Sequence, residues 1–416
     1  MKFLNHRSML VITVALVGLN LRPFMTSIGP VIHQIRHSTG LSLQGVALLT
    51  LVPMLLMGII AFIAPAIQNL LGERKAILSA LILIALGCAL RFVVPNGAVL
   101  ILTAAIIGFG VAVIQAIFPS LIKREFIQHL SPMMGLYSAM LMGGGALGAL
   151  LAPAVAESRG DWKMGLAIFI IPAMIALFFA YGFIQPNSTA TKAMPKVRIL
   201  LKQPRTWLLI SCFGLINGGY SSIVAWLAPA FQDLGWSTTA SGHLMAVLTL
   251  SQAAAALLLP YLSRHDKDRR SWLALTLVLQ LAGFAGFAGF AGFAGFAGFA
   301  GFAGFAGFAG LALRPEWMPY LWAVTLGAGL GGCFALLMVV VLDHLPDPTH
   351  AGQLSALMQG GGFILAAMAP WLLAVFHSLT GTYVMGWIWH FSMVIVVGVL
   401  MIRLNPQHYD KVIRLN

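Results

Sequence analysis

Charge is what this sequence has least of. Only 8% of its 416 residues are Asp, Glu, Lys or Arg, whereas 60% are hydrophobic; a soluble globular chain carries about 25% charged residues. That much apolar surface cannot be hidden in a water-exposed globule, and a mean hydropathy of +0.93 excludes the soluble classes. Carboxylates are scarcer still, 11 against 24 Lys and Arg. Cysteine is nearly absent. Cys88, Cys212 and Cys333 stand in separate apolar runs with no disulfide or metal spacing, and read as small buried hydrophobes. No Ser/His/Asp set, zinc spacing or phosphate-binding loop occurs, so the sequence implies neither an enzyme, a cofactor nor a metal site.

What the chain has in abundance is long apolar runs. A membrane helix needs about 20 such residues. Twelve runs of that kind lie near 8–32, 42–68, 76–94, 98–121, 132–156, 163–184, 206–231, 239–262, 272–313, 318–342, 352–376 and 382–402. They lack the alternation of membrane-barrel strands, so the fold class is an all-α membrane protein with twelve transmembrane helices. The first run has no small-residue cleavage site and is read as a retained span.

Eighteen of the 24 basic residues fall in 2–7, 74–75, 123–124, 192–205, 264–270 and 403–414. Arg36, Arg91, Arg159, Lys163 and Arg314 fall on the other side. The positive-inside rule then places both termini in the cytoplasm and the chain, multi-pass, in a bacterial inner membrane. The formal charge of +13 is topological and gives no reason to expect a nucleic-acid partner. The lipid bilayer is the expected surrounding, and the protein is read as a monomer.

The hydrophilic stretch around 185–205 divides the chain into six-helix bundles at 1–184 and 206–416. The halves repeat each other. "SAMLMGGGALGALLAP" (138–153) aligns without a gap on "SALMQGGGFILAAMAP" (355–370), an offset of 217, whereas Asn20 and Asn217 are 197 apart. Parallel six-helix repeats joined by a basic linker are the internal symmetry of the major facilitator architecture. The change of offset locates an insert of roughly 20 residues, visible as nine Ala-Gly-Phe triplets from Ala282 to Phe308 within a low-complexity stretch at 282–310. Three residues advance a helix by 300°, so the Phe rings spiral without forming a stripe, and glycines three apart miss the four-residue spacing of close packing. The run is read as replication slippage in a single ninth helix, tilted or bent, whose excess protrudes on the external side.

One charge stands where lipid is expected. "GLNLRPFMTSIGP" (18–30) carries Arg22 inside the first span, yet all eleven carboxylates sit in loops or at helix ends. An unpaired cation at that depth costs at least about 2.5–3.5 kcal/mol. Pro23 disfavours helix at Arg22 and removes the hydrogen bond that the Leu19 carbonyl would accept, so the span should kink there. Compensation for Arg22 comes from an anionic ligand, from carbonyls and amides, or from snorkelling. Asn20, Gln115, Asn217 and Tyr220 are the neighbouring polar candidates to donate to an anion, each also able to make an ordinary interhelical bond. Gln359 and His390 read as packing residues. With no carboxylate in the membrane core, an anion would equilibrate passively or draw on a histidine or loop acid for coupling.

At these residues the chain resembles the cyanate permease family of the major facilitator superfamily. The similarity rests on "GLNLRPFMTSIGP", "IQAIFPSLIKREF" (114–126), "GLINGGYSSIVAWL" (214–227), "VLDH" (341–344) and "ALMQGGGFILAAMAPW" (356–371), and covers nearly the whole chain. In that pattern a single Gly-Phe-x-Gly stretch follows "VLQL", so about eight triplets are surplus. The resemblance implies transport of a small monovalent anion, with cyanate the namesake and other substrates found in the branch. Two features depart from the superfamily: Pro65, Asn69 and Glu73 stand at the Gly, Asp and second-Arg positions of the loop after span two, and Ala104 stands near the usual arginine of span four. The expectation is an alternating-access permease for a small anion, with Arg22 as its positive pole. An exporter of amphipathic or aromatic compounds is the alternative transporter, and a non-transporting sensor the alternative class, although the 14 residues after Ile402 leave no room for a signalling domain.

Overall fold

The computed structural model describes residues 6–126, 130–185, 197–288, 318–345 and 348–408. Regular structure among them is helical throughout. Twelve helical segments among the described residues are long and apolar enough to cross a membrane, from His6–Thr39 to Val384–Met401. Their outward faces are apolar: Phe178, Val278 and Val399 are each more than half exposed, which suits a hydrocarbon surrounding and not water.

The ends of the spans follow from local chemistry. Ser42, Asn96 and Ser237 cap the second, fourth and eighth spans by accepting from the backbone N–H three residues on. Gly40, Gly235 and Gly381 take the positive φ that a tight turn after a helix requires. Among the described residues, the sixth span is interrupted at Ile168 and Phe169 ahead of Pro172, and the first span is broken near its middle before a proline. Its first helix, His6–Leu19, stops; Asn20, Leu21 and Arg22 are non-helical; and a short helix restarts at Pro23–Thr26.

The second span packs on the eleventh and the fifth on the eighth, which joins the first six spans to the last six. On the face opposite the basic loops three polar ties make the same crossing. His33 Nε2 lies 3.4 Å from Asp233 Oδ1, Gln232 Nε2 donates to Pro30 O at 2.6 Å, and Thr239 N donates to Glu157 Oε1 at 3.0 Å. On the basic face, Arg124 pairs with Glu73 and Arg269 with Asp343, each pair within one half.

The ninth span is described as Arg270–Ala288. Triplet residues from Gly289 onward lie outside the described residues, and so does the expected protrusion. The first two triplets nevertheless pack closely, against the expectation that glycines three apart miss the spacing of close packing. A Cβ on Gly283 or Gly286 would collide with Leu326 or Trp322 of the tenth span, and Phe284 and Phe287 are buried beside Trp387. Glycines three apart can therefore both serve a close crossing when the partner presents two bulky side chains one turn apart.

Candidate functional site

The site begins with the break in the first span. Pro23 occupies the first position of the restarted helix, where its missing N–H is no loss, and Arg22 becomes the residue before it at φ −125°, ψ −23°. The Arg22 carbonyl accepts from Met25 N at 3.1 Å and Thr26 N at 3.3 Å. Its side chain is thus held by a backbone already satisfied. The displaced Leu19 carbonyl is covered by the fifth span, where a Cβ on Gly144 would strike it. The glycine triplet at 143–145 thereby gains a physical role beyond its place in the repeat.

Arg22 is 3% exposed. Its guanidinium carbon lies 4.8 Å from the centre of the Tyr220 ring, and Nε and Nη1 have no hydrogen-bond partner. The ring offers a cation–π contact of about 0.5–2 kcal/mol, which leaves the two N–H groups uncompensated. Arg22 lines a small cavity of about 10 Å³ between the first, fifth, seventh, eighth and tenth spans. Arg22, Asn217, Tyr220 and Gln252 supply its polar lining, while Met142, Leu330 and Phe334 are among the apolar walls.

The predicted residues are thus divided. Arg22, Asn217 and Tyr220 meet at one cavity. Asn20 does not line it: its Nδ2 donates to Leu16 O at 2.8 Å and to Pro172 O at 3.1 Å, tying the broken first span to the sixth. Gln115, half-buried on the fourth span, lies outside the lining as well, since that span packs on the second and third. Asn217 Nδ2 gives one hydrogen to Phe213 O at 2.8 Å and keeps a second N–H. Gln252 was missed. It is 3% exposed and its Oε1 is buried without a partner. A lone amide in an apolar run was a usable signal, but nothing local says which way the eighth span turns it. His390 is buried and stacked on Phe284, away from the cavity lining. No group of His, Cys, Asp and Glu among the described residues is placed to hold a metal ion.

Repeat arithmetic explains the asymmetry. At the offset of 197, Arg22 corresponds to Gly219 and Pro23 to Tyr220. Without a proline at that position, the seventh span runs unbroken through Pro204–Asp233. Its tyrosine turns toward the arginine of the first.

A second polar centre sits on the basic face. Arg205 Nε donates to His344 Nε2 at 3.0 Å, His344 Nδ1 donates to Val340 O at 2.7 Å, and Arg205 also bonds the Arg403 carbonyl. Burial, and secondarily the adjacent guanidinium, push the His344 imidazole down to about 4 against the opposing Val340 bond, so it is neutral at pH 7. Nearby in the same region, hydrogen bonds from Arg270 hold the exposed Asp268 carboxyl below its usual range.

Solved structures share this helical architecture. The proton:xylose symporter XylE superposes with a TM-score of 0.70 at 13% identity, over 95% of each chain. A bacterial homolog of the human lysosomal transporter Spinster, in an inward-facing and occupied conformation, gives 0.65 at 15% identity, over 98% of this chain and 96% of that one. The Major Facilitator Superfamily model matches residues 12–313. Among curated proteins, the cyanate transport protein CynX of Escherichia coli is 39% identical over 97% of this chain and 98% of its own, and a 2-nitroimidazole transporter of the same organism is 26% identical over 91% of each. The chain belongs to the cyanate permease family of the Major Facilitator Superfamily.

Proposed function

We propose that this protein is an alternating-access transporter of a small monovalent anion of the cyanate type, set in a bacterial inner membrane with its basic face and both termini cytoplasmic. The observation that carries the reading is Arg22, buried between the two halves, with Nε and Nη1 unpartnered at a cavity and no ion pair among the described residues. An anion entering there would gain two charge-assisted hydrogen bonds in a medium where they are strong. The relative named as a cyanate transporter brings cyanate forward as cargo. The relative named as a 2-nitroimidazole transporter, together with Tyr220 and Phe334 in the cavity wall, favours small polar aromatics as the second reading. Alternation is supported by the placing of the site between halves whose polar ties at His33, Glu157 and Gln232 lie on the face away from the basic loops.

The test is uptake of labelled cyanate into proteoliposomes. Arg22→Gln should abolish saturable uptake while insertion is retained, and Arg22→Lys should keep weak uptake because one ammonium replaces the planar fork. Unchanged uptake by well-inserted Arg22→Gln would remove the site.

A further inference from the structure

We infer that Phe334 fixes the width of the Arg22 cavity and is the residue that restricts cargo to rod-shaped anions one atom across, the class of cyanate and azide. The inference rests on the anion reading above and names the side chain that decides its substrate class. The cavity holds about 10 Å³, the room of a single water-sized body. A larger cargo enters only where a wall gives way, and the walls differ in how readily they do so.

Met142, on the fifth span, is unbranched and flexible, and is the wall that yields. Tyr220 is held against the arginine, its ring centre 4.8 Å from the guanidinium carbon. Phe334, on the tenth span, is braced from behind. Its ring centre lies 5.6 Å from that of Phe213, and Phe213 meets Phe363 edge-on at 5.3 Å and 77°. Phe213 and Phe363 are buried and stand outside the cavity lining. Phe213 has no room to retreat: a Cβ on Gly362 would come within 2.4 Å of its Cδ1, so the ring already fills the space beside the eleventh span. A row of three rings, running from the eleventh span through the seventh to the tenth, therefore presses Phe334 toward the cavity. Moving it aside disturbs a packed core, which does not open by a ring's width without cost. A linear triatomic anion adds length to a water-sized body but no width, and the give of Met142 meets that need. A planar ring adds width, which Phe334 refuses. Phe213 is a positioning residue, acting on the cargo through Phe334 without touching it.

Azide and benzoate are the probes, monoanions of one charge of which one is a linear triatomic and the other carries a ring. Binding to the full chain in nanodiscs is read as thermal stabilisation across a concentration series at neutral pH and constant ionic strength, counting for each anion the part lost in Arg22→Gln. Wild type should bind azide at least about tenfold tighter than benzoate. In Phe334→Leu, which keeps an apolar side chain but narrows it, the ratio should fall toward one through a gain in benzoate affinity. Phe213→Leu should shift it the same way, a change that a loss of stability alone would not produce. Equal affinities in the wild type overturn the inference without needing any variant to fold, as does a ratio that Phe334→Leu leaves unchanged. If the two anions are equal and both vanish in Arg22→Gln, the anion reading stands and only the width filter is wrong. If neither anion stabilises the wild type, the anion reading fails and takes the inference with it.

Discussion

Arg22 and His344 handle buried nitrogen in opposite ways. Arg22 stays donor-only at an open cavity, whereas the donors and acceptors of His344 are taken by the protein itself, from Arg205 and to Val340. The histidine carries a pH dependence. With an ordinary value of 6.5 and a folded value of about 4, it is neutral in both folded and unfolded chains above pH 6.5. Between 6.5 and 4 only the unfolded chain takes up the proton, so stability falls with acidification over that window and the loss is complete near pH 4. The full shift corresponds to roughly 3 kcal/mol. Melting midpoints in detergent should therefore drop more steeply from pH 6.5 to 4 for the wild type than for His344→Gln. Parallel curves would assign the acid sensitivity elsewhere. Of these two residues, Arg22 was legible because a cation in an apolar run is anomalous in any register. His344 was not, since its environment is made by residues 139 positions upstream and 59 downstream.

Two elements show how far a sequence motif carries. The break in the first span is written locally in Pro23, but it persists because the fifth span yields at Gly144. The glycine triplet supplies its own control: Gly144→Ala should lower stability by about 1–3 kcal/mol through collision with the Leu19 carbonyl, while Gly143→Ala, with nothing within 4 Å of its Cβ, should be neutral or slightly stabilising. Thermal midpoints of the two variants decide it, and equal losses would mean that helix flexibility, not contact, is what the triplet provides. The ninth span gives the second case. Deleting seven triplets, Ala288 to Phe308, keeps Gly283, Phe284, Gly286 and Phe287 and should preserve both transport and stability. Deleting eight puts Leu311 where Phe287 packs against Phe231 and Trp387, and should cost about 1 kcal/mol more. If seven cannot be removed without loss of transport, the surplus has a function after all.

At the scale of the whole molecule, under the alternating access proposed above, the ties on the face away from the basic loops hold the cavity shut on that side. Glu157 accepts from the N–H and hydroxyl of Thr239 at the start of the eighth span, a carboxylate at a helix N-terminus joining the two halves. A contact of about 1 kcal/mol moves such an equilibrium about fivefold. Glu157→Ala should accordingly raise several-fold the rate at which Met142→Cys, in the cavity wall, reacts with an impermeant thiol reagent applied from that face. Asp161→Ala, which uncaps a helix within one half, should leave it unchanged. The native cysteines are buried and give a low background. An unaltered rate in Glu157→Ala would show that this tie does not hold the closure. The number of spans, their helical class and the internal repeat were determined by the sequence alone, because lipid offers the backbone no hydrogen bonds and hydrophobic length is local. Which polar side chains share a cavity was decided only by tertiary structure. The rotation of each span about its axis depends on close crossings such as Gly144 with Leu19 and Gly331 with Gln252, and those are set by residues far apart in the chain. For that reason Asn20, adjacent in sequence to Arg22, is spent on the sixth span, and Gln252, 230 positions away, faces the same cavity as Arg22.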